Sequence, residues 1–290
     1  MSGGVSGGMG GRLGDDLMLC NVSVANLPLQ EVVPAAAAAG FTCMSVLART
    51  HRRAVVRDGL SSADLRALLV GHGIRVQEVE AAGDWLGPLP AAEQPWLDPV
   101  YTTAEMLDLA DELDARTVVA TWFGASAPPE RAAEVFAALC DDAADRGRQV
   151  ALEFPAMATI ADLGAAWAVV RAAGRANGGL LIDNWHHQRG GGSFDDLLTI
   201  PPDRIMSVQL SDADRDPLGP PLADIVRRTL PGAGALEPAG LVRLLDGHGV
   251  RCPVGIEVLR RDVVAGGATS AAQVLYDTLA ATIREARCPT

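Results

Sequence analysis

The sequence predicts an α/β protein folded as one closed (β/α)₈ TIM barrel, and three observations carry that expectation. The chain has 290 residues, an ordinary length for one such barrel and long for one sandwich or doubly wound sheet. Short apolar runs, often β-branched, alternate with Ala- and Leu-rich amphipathic stretches, the rhythm of a buried parallel sheet wrapped by helices. Four helix-to-strand joints resemble one another: AAAAGFTCMSV, LVGHGIRVQEV, ADRGRQVALEF and LDGHGVRCPVGIEV each place Gly just past a helix and an apolar strand beyond it.

Taken in order, residues 1–14 are glycine-rich without apolar periodicity and read as a flexible tail, leaving 15–290 for the barrel. No strand precedes those glycines, so they are not a dinucleotide-binding loop. Strands are expected at Met18–Val24, Phe41–Leu47, Ile74–Glu80, Thr117–Thr121, Gln149–Glu153, Gly179–Asp183, Ile205–Gln209 and Val254–Glu257. Helices fit between them at Pro28–Ala39, Ser61–Gly71, Thr102–Leu113, Pro129–Arg146, Ile160–Ala172, Phe194–Leu198, Pro238–Gly247 and Ser270–Arg287. Pro28, Pro129 and Pro238 suit first turns, and Ser61 and Thr102 suit N-caps.

Composition removes whole reaction classes. All 24 basic residues are arginine. Schiff-base aldolase chemistry, pyridoxal phosphate anchoring, a lysine base and a Walker-type phosphate loop all need an amine the chain lacks. A net charge of −12 with dispersed arginines disfavours nucleic acid. Five scattered cysteines, never in a CxxC pair, argue against a disulfide framework or thiolate zinc site. No apolar run is long enough for a bilayer and no secretory leader opens the sequence, so a cytoplasmic protein off the membrane is expected, with homo-oligomerisation left open.

Four strands end in polar side chains where hydrophobes are otherwise the rule: Glu153 in VALEF, Asp183 in GLLID, Gln209 in IMSVQL and Glu257 in PVGIEV. Consecutive strands of a closed barrel are neighbours, so these ends should converge on one quadrant of its C-terminal rim. Separate pairing of each acid with a rim arginine is the structural alternative. Three carboxylates gathered in a barrel mouth repel one another, and one divalent cation relieves them. An oxygen-rich shell suits Mn²⁺ or Mg²⁺ better than Zn²⁺. Arg189, in HHQRGG, reads either as a ligand for an oxyanion or hydroxyl of the substrate or as a solvated charge. His72 and His248 fall in turns at the opposite end of the barrel and read as structural, as does His187 on the assumption of an extended chain. Arg49, His51, Trp85 and Trp122 read as rim residues, each either packing or walling a pocket.

The run from ALEFP through LIDNWHHQRGG to DRIMSVQLSDADR resembles the xylose isomerase-like barrels, a family that includes sugar-phosphate isomerases and epimerases, inosose and 3-dehydroshikimate dehydratases, and endonuclease IV-like proteins. The resemblance spans roughly residues 17–283 and implies one metal held by Glu153, Asp183, Gln209 and Glu257. It also implies that Glu153 and Glu257 form an acid/base pair across the two faces of a polyhydroxylated carbonyl substrate, with His186 and Arg215 on its oxygens. Gln209 stands where the family usually has His, a replacement that lyase-like members accept. Thr159 stands where the epimerases carry a further acid. The implied activity is a metal-dependent isomerase or epimerase working through an enediolate. A dehydratase is the alternative, and a non-catalytic sugar-binding barrel a third reading.

Overall fold

The computed structural model of the chain describes residues 11–88 and 101–288. Eight parallel strands close in sequence order: β1 (Leu17–Leu19), β2 (Cys43–Leu47), β3 (Arg75–Ala82), β4 (Thr117–Ala120), β5 (Gln149–Leu152), β6 (Gly178–Asp183), β7 (Ile205–Leu210) and β8 (Val254–Ile256), with β8 pairing back onto β1. Among the described residues eleven α-helices accompany them: α1 (Leu29–Ala39), α2 (Ala48–Arg57), α3 (Ser62–Gly71), α4 (Thr103–Leu113), α5 (Pro129–Asp145), α6 (Leu163–Ala173), α7 (Asn184–Arg189), α8 (Pro221–Asp224), α9 (Pro238–His248), α10 (Arg261–Val264) and α11 (Gly267–Arg287). Among the described residues no helix is long and apolar enough to cross a membrane.

The predicted caps act as their chemistry demands. Ser61 accepts the Asp64 backbone N–H, and Thr102 forms a reciprocal capping box with Glu105. Several elements differ from expectation. The first strand ends at Leu19, and Asn21–Val24 turns into a 3₁₀ helix. The Phe194–Leu198 segment is likewise 3₁₀, over Phe194–Thr199. The stretch ARTHRRAVVR, read as a rim loop, forms α2. Of the expected tail, residues 1–10 lie outside the described residues, whereas Leu13 is fully buried and Arg12 pairs with Asp246.

Strand alternation divides the apolar residues into two sets. Leu17, Leu19, Val46, Val118, Leu152, Ile182, Val208, Leu210 and Ile256 join the helices in one large core. Their alternates face the barrel axis, where Met18, Cys20 and Cys43 form one small cluster and Val119, Ala151, Leu181 and Met206 another. The rest of the interior is polar: Ser45, Glu78, Ser207, Gln209 and Asp183 are all at most 1% exposed. Glu153 and Glu257 follow β5 and β8 directly, held by backbone bonds from Glu153 N to Ala120 O and from Glu257 N to Leu210 O, both 2.9 Å.

Candidate active site

Asp183 ends β6 and caps α7, its Oδ1 accepting the His186 backbone N–H at 2.8 Å. That cap turns the chain into a helix at once, where an extended continuation was expected, and sets His186 beside the carboxylate. His187 stays structural for a different reason from the one assumed: it is buried edge-on to Phe154 with Nε2 2.7 Å from Ser193 O. Asn184 exchanges two hydrogen bonds with the Ser211 backbone, at 2.8 and 3.0 Å, and so registers the end of β7, which carries Gln209, against β6.

Glu153, Asp183 and His186 bring one ligand atom each within 4.8 Å of one another. Gln209 is 1% exposed and its Oε1 has no hydrogen-bond partner. A buried acceptor left unpaired is costly, and an oxygen-seeking cation is one means of satisfying it.

The residue at the centre was not singled out in the sequence. Arg228, on the long excursion after β7, is 0% exposed; its NH1 donates to Asp183 Oδ2 at 2.7 Å and to Glu257 Oε1 at 2.9 Å, and NH2 lies 2.8 Å from His186 Nε2. Trp185 lies under the guanidinium, whose carbon is 4.7 Å from the ring centroid. An antiparallel bridge between Asp212 and Thr229 closes the excursion and delivers Arg228 inward. The Asp212 carboxylate braces that closure by accepting from the Gly232 and Leu236 backbones. Gly234 is required there, because a β-carbon would meet Ala213 O at 2.4 Å. The alternative in which the acids pair with separate arginines is thus replaced by one guanidinium shared between two of them.

Burial pushes the Glu153 carboxyl well above the usual carboxylate range, and the charges of Glu257 and Asp183 push it further, against the pull of Arg228. Burial raises Glu257 to about 8, with Arg228 opposing and Asp183 adding to the rise. Burial works against the charge of Arg228, yet Asp183 and Glu257 keep it protonated. His186 is pushed down to about 3 by burial and by the neighbouring guanidinium, so its ring is neutral.

A neutral imidazole has one lone pair and one N–H. His186 Nδ1 faces the Ala156 backbone N–H at 3.2 Å and Nε2 faces Arg228 NH2 at 2.8 Å, so two donors compete for the single lone pair. Where Nδ1 keeps the Ala156 bond, Nε2 carries the proton and donates toward ligand oxygens; where Nε2 accepts from Arg228, the proton is on Nδ1.

Two predicted residues stand elsewhere. Arg189 is spent on its own loop: Nε donates to Asp224 Oδ2 at 2.8 Å, NH2 to Asp214 O at 2.8 Å and NH1 to Arg215 O at 3.1 Å. It braces the excursion that carries Arg228, and none of these bonds reaches the acids. Arg215 is exposed and lines a separate cleft of about 280 Å³ with Ser193, Asp195 and Glu237. On the rim, Trp85 and Trp122 are buried edge to face with Nε1 bonds to Thr121 O and Ala125 O, which is packing. His51 bonds Ser62 on α3 and Arg49 is exposed.

Fold and site together define a (β/α)₈ barrel whose acids gather at the C-terminal mouth. The chain belongs to the xylose isomerase-like TIM barrel family, whose model matches residues 33–282. It is 29% identical over 146 residues to an inosose isomerase of Halalkalibacterium halodurans, covering 50% of this chain and 51% of that protein. It is 30% identical over 241 residues to a 3-dehydroshikimate dehydratase of Pseudomonas aeruginosa, covering 79% of this chain and 36% of that protein. The chain thus spans about half or less of the length of these relatives. Among solved structures, the IolI protein with a bound zinc atom superposes with a TM-score of 0.81 at 19% identity, covering 94% of this chain and all of the other.

Proposed function

We propose that the chain is a divalent-metal-dependent enzyme that removes a proton from the carbon beside a carbonyl in a small polyhydroxylated substrate. The observation that carries this reading is the convergence of Glu153 and Glu257 with Asp183 and the unpartnered Gln209 Oε1. This donor set fits a cation: three carboxylates and an amide oxygen, with Mn²⁺ or Mg²⁺ preferred because the oxygens are hard. A structure of the same fold, the IolI protein, holds a zinc atom, which supports a divalent metal here. When bound, such an ion supplies Lewis-acid polarisation of the carbonyl oxygen.

The protein's own groups do the rest. Either Glu153 or Glu257 takes the proton as a carboxylate, and the other, kept protonated by burial, returns one. His186, neutral and with Nδ1 engaged by the Ala156 N–H, directs an Nε2–H at a substrate oxygen once Arg228 NH2 has left that atom. Arg215, in its separate cleft, takes the role of meeting distal hydroxyls rather than the reacting atoms.

Returning the proton to carbon gives isomerisation or epimerisation; delivering it to a β-hydroxyl expels water and gives dehydration. Two observations favour dehydration: Gln209 in place of the usual His, and the dehydratase match over 79% of this chain. The test is metal analysis of protein purified without chelator, then turnover of keto-polyols and cyclic hydroxy-ketones with Mn²⁺ restored, followed by product mass. A product lighter by one water establishes dehydration and an unchanged mass establishes isomerisation. No turnover with any metal sinks the reading.

A further inference from the structure

The arrangement around Arg228 satisfies the acids and frustrates their neighbours. Its Nε is buried with no acceptor. Its NH2 faces His186 Nε2 at 2.8 Å while the Ala156 N–H faces Nδ1 at 3.2 Å, so a ring with one lone pair meets a donor on each side. Meanwhile NH1 takes the oxygens of Asp183 and Glu257 that a cation would need. Guanidinium and divalent ion cannot share those oxygens, since like charges at such separations inside a dry barrel repel strongly.

We propose that Arg228 is a resident counter-cation that closes the metal position: its guanidinium holds Asp183 and Glu257 until a divalent ion displaces it, and that displacement frees His186 Nε2 to act on the ligand. The proposal rests on the metal reading above and adds an internal competitor to it. The supporting geometry is local. Arg228 precedes Thr229, whose bridge to Asp212 pins the backbone, so the displacement is one of the side chain alone. Arg189, paired with Asp224, holds the same excursion from outside and takes no share of the acids.

The competition predicts that weakening the guanidinium strengthens metal binding. Metal-free wild type, Arg228→Met and Arg228→Lys are titrated with Mn²⁺ against a chelator of known affinity. Arg228→Met binds at least about tenfold more tightly than wild type, and Arg228→Lys, which keeps the charge without the fork, lies between. Should Arg228→Met fail to fold without metal, Arg228→Lys decides. A second readout uses Trp185, which lies under the guanidinium. Diamagnetic Mg²⁺ changes tryptophan emission in wild type and leaves Arg228→Met unchanged. Binding that is equally tight, or weaker, in the variants overturns the counter-cation while leaving the metal reading intact. Absence of binding in all three proteins overturns both.

Discussion

The two ends of the barrel treat their acids in opposite ways. At the N-terminal end, acids sit on the surface and arginines meet them singly or in small fans: Arg175 with Asp141 at 2.6 Å, Arg75 with Asp16 at 2.7 Å, and Arg146 with Asp108 and Asp111 at 2.6 and 2.9 Å. Water screens these pairs, and each contributes little to stability. At the C-terminal end, Asp183 and Glu257 share one guanidinium close to Glu153, with Glu78 fully buried and Glu80 half-buried in the same interior. Desolvation there makes charge expensive, so protons and a single arginine carry what solvent carries at the other end. Acids paired to saturation have nothing left to offer a ligand. The acids at the mouth are under-neutralised, and under-neutralised buried groups are where chemistry is found.

That contrast is broken most severely at the mouth. Glu153→Gln or Glu257→Gln removes a carboxylate and a proton carrier together, and kcat should fall by about 10²–10⁴-fold with far-UV circular dichroism unchanged. A variant within a factor of a few of wild type would show that the acid/base pair is misassigned.

A smaller effect is expected deeper in the barrel. Burial, then the charges of Glu80 and Glu257, raise Glu78 from 4.5 to about 8, against the pull of Ser207 and Gln209. A carboxyl raised on folding favours its protonated form in the native state. Its contribution is therefore complete below its unfolded value and is lost as pH climbs through about 8. Glu78→Gln, neutral at all pH, should gain on wild type by roughly 5 °C in Tm between pH 5 and pH 9 in metal-free protein. A Tm difference that stays constant across this range would show that Glu78 does not titrate there.

The smallest effect belongs to the opposite end. Arg175→Ala breaks an exposed fork, and Tm should move by no more than about 2 °C with kcat/KM unaltered. A larger loss would erase the distinction between the two ends.

Much of this molecule was legible along the chain. The βα alternation, the Ser61 and Thr102 caps and the acids closing successive strands follow from local chemistry and from periods of 2 and 3.6, which sequence displays directly. His186 was legible through family resemblance, and the two donors competing for its ring only through contacts 30 and 42 residues away. The helix after Asp183 was misread as extended because an aspartate at a strand end looks the same whether it caps a helix or continues a loop.

What tertiary structure alone decided is who neutralises the acids. Arg189 and Arg215 lie in conspicuous motifs near the strand ends, yet one braces a loop and the other lines an outer cleft. Arg228 sits in an aperiodic segment, 45 residues from Asp183 and 29 from Glu257, and reaches them because the Asp212–Thr229 bridge folds that segment over the mouth. Strand periodicity dictates which side chains point into the barrel. The partner of a buried charge is set by loop closure, a non-local event that leaves no repeating signature in sequence.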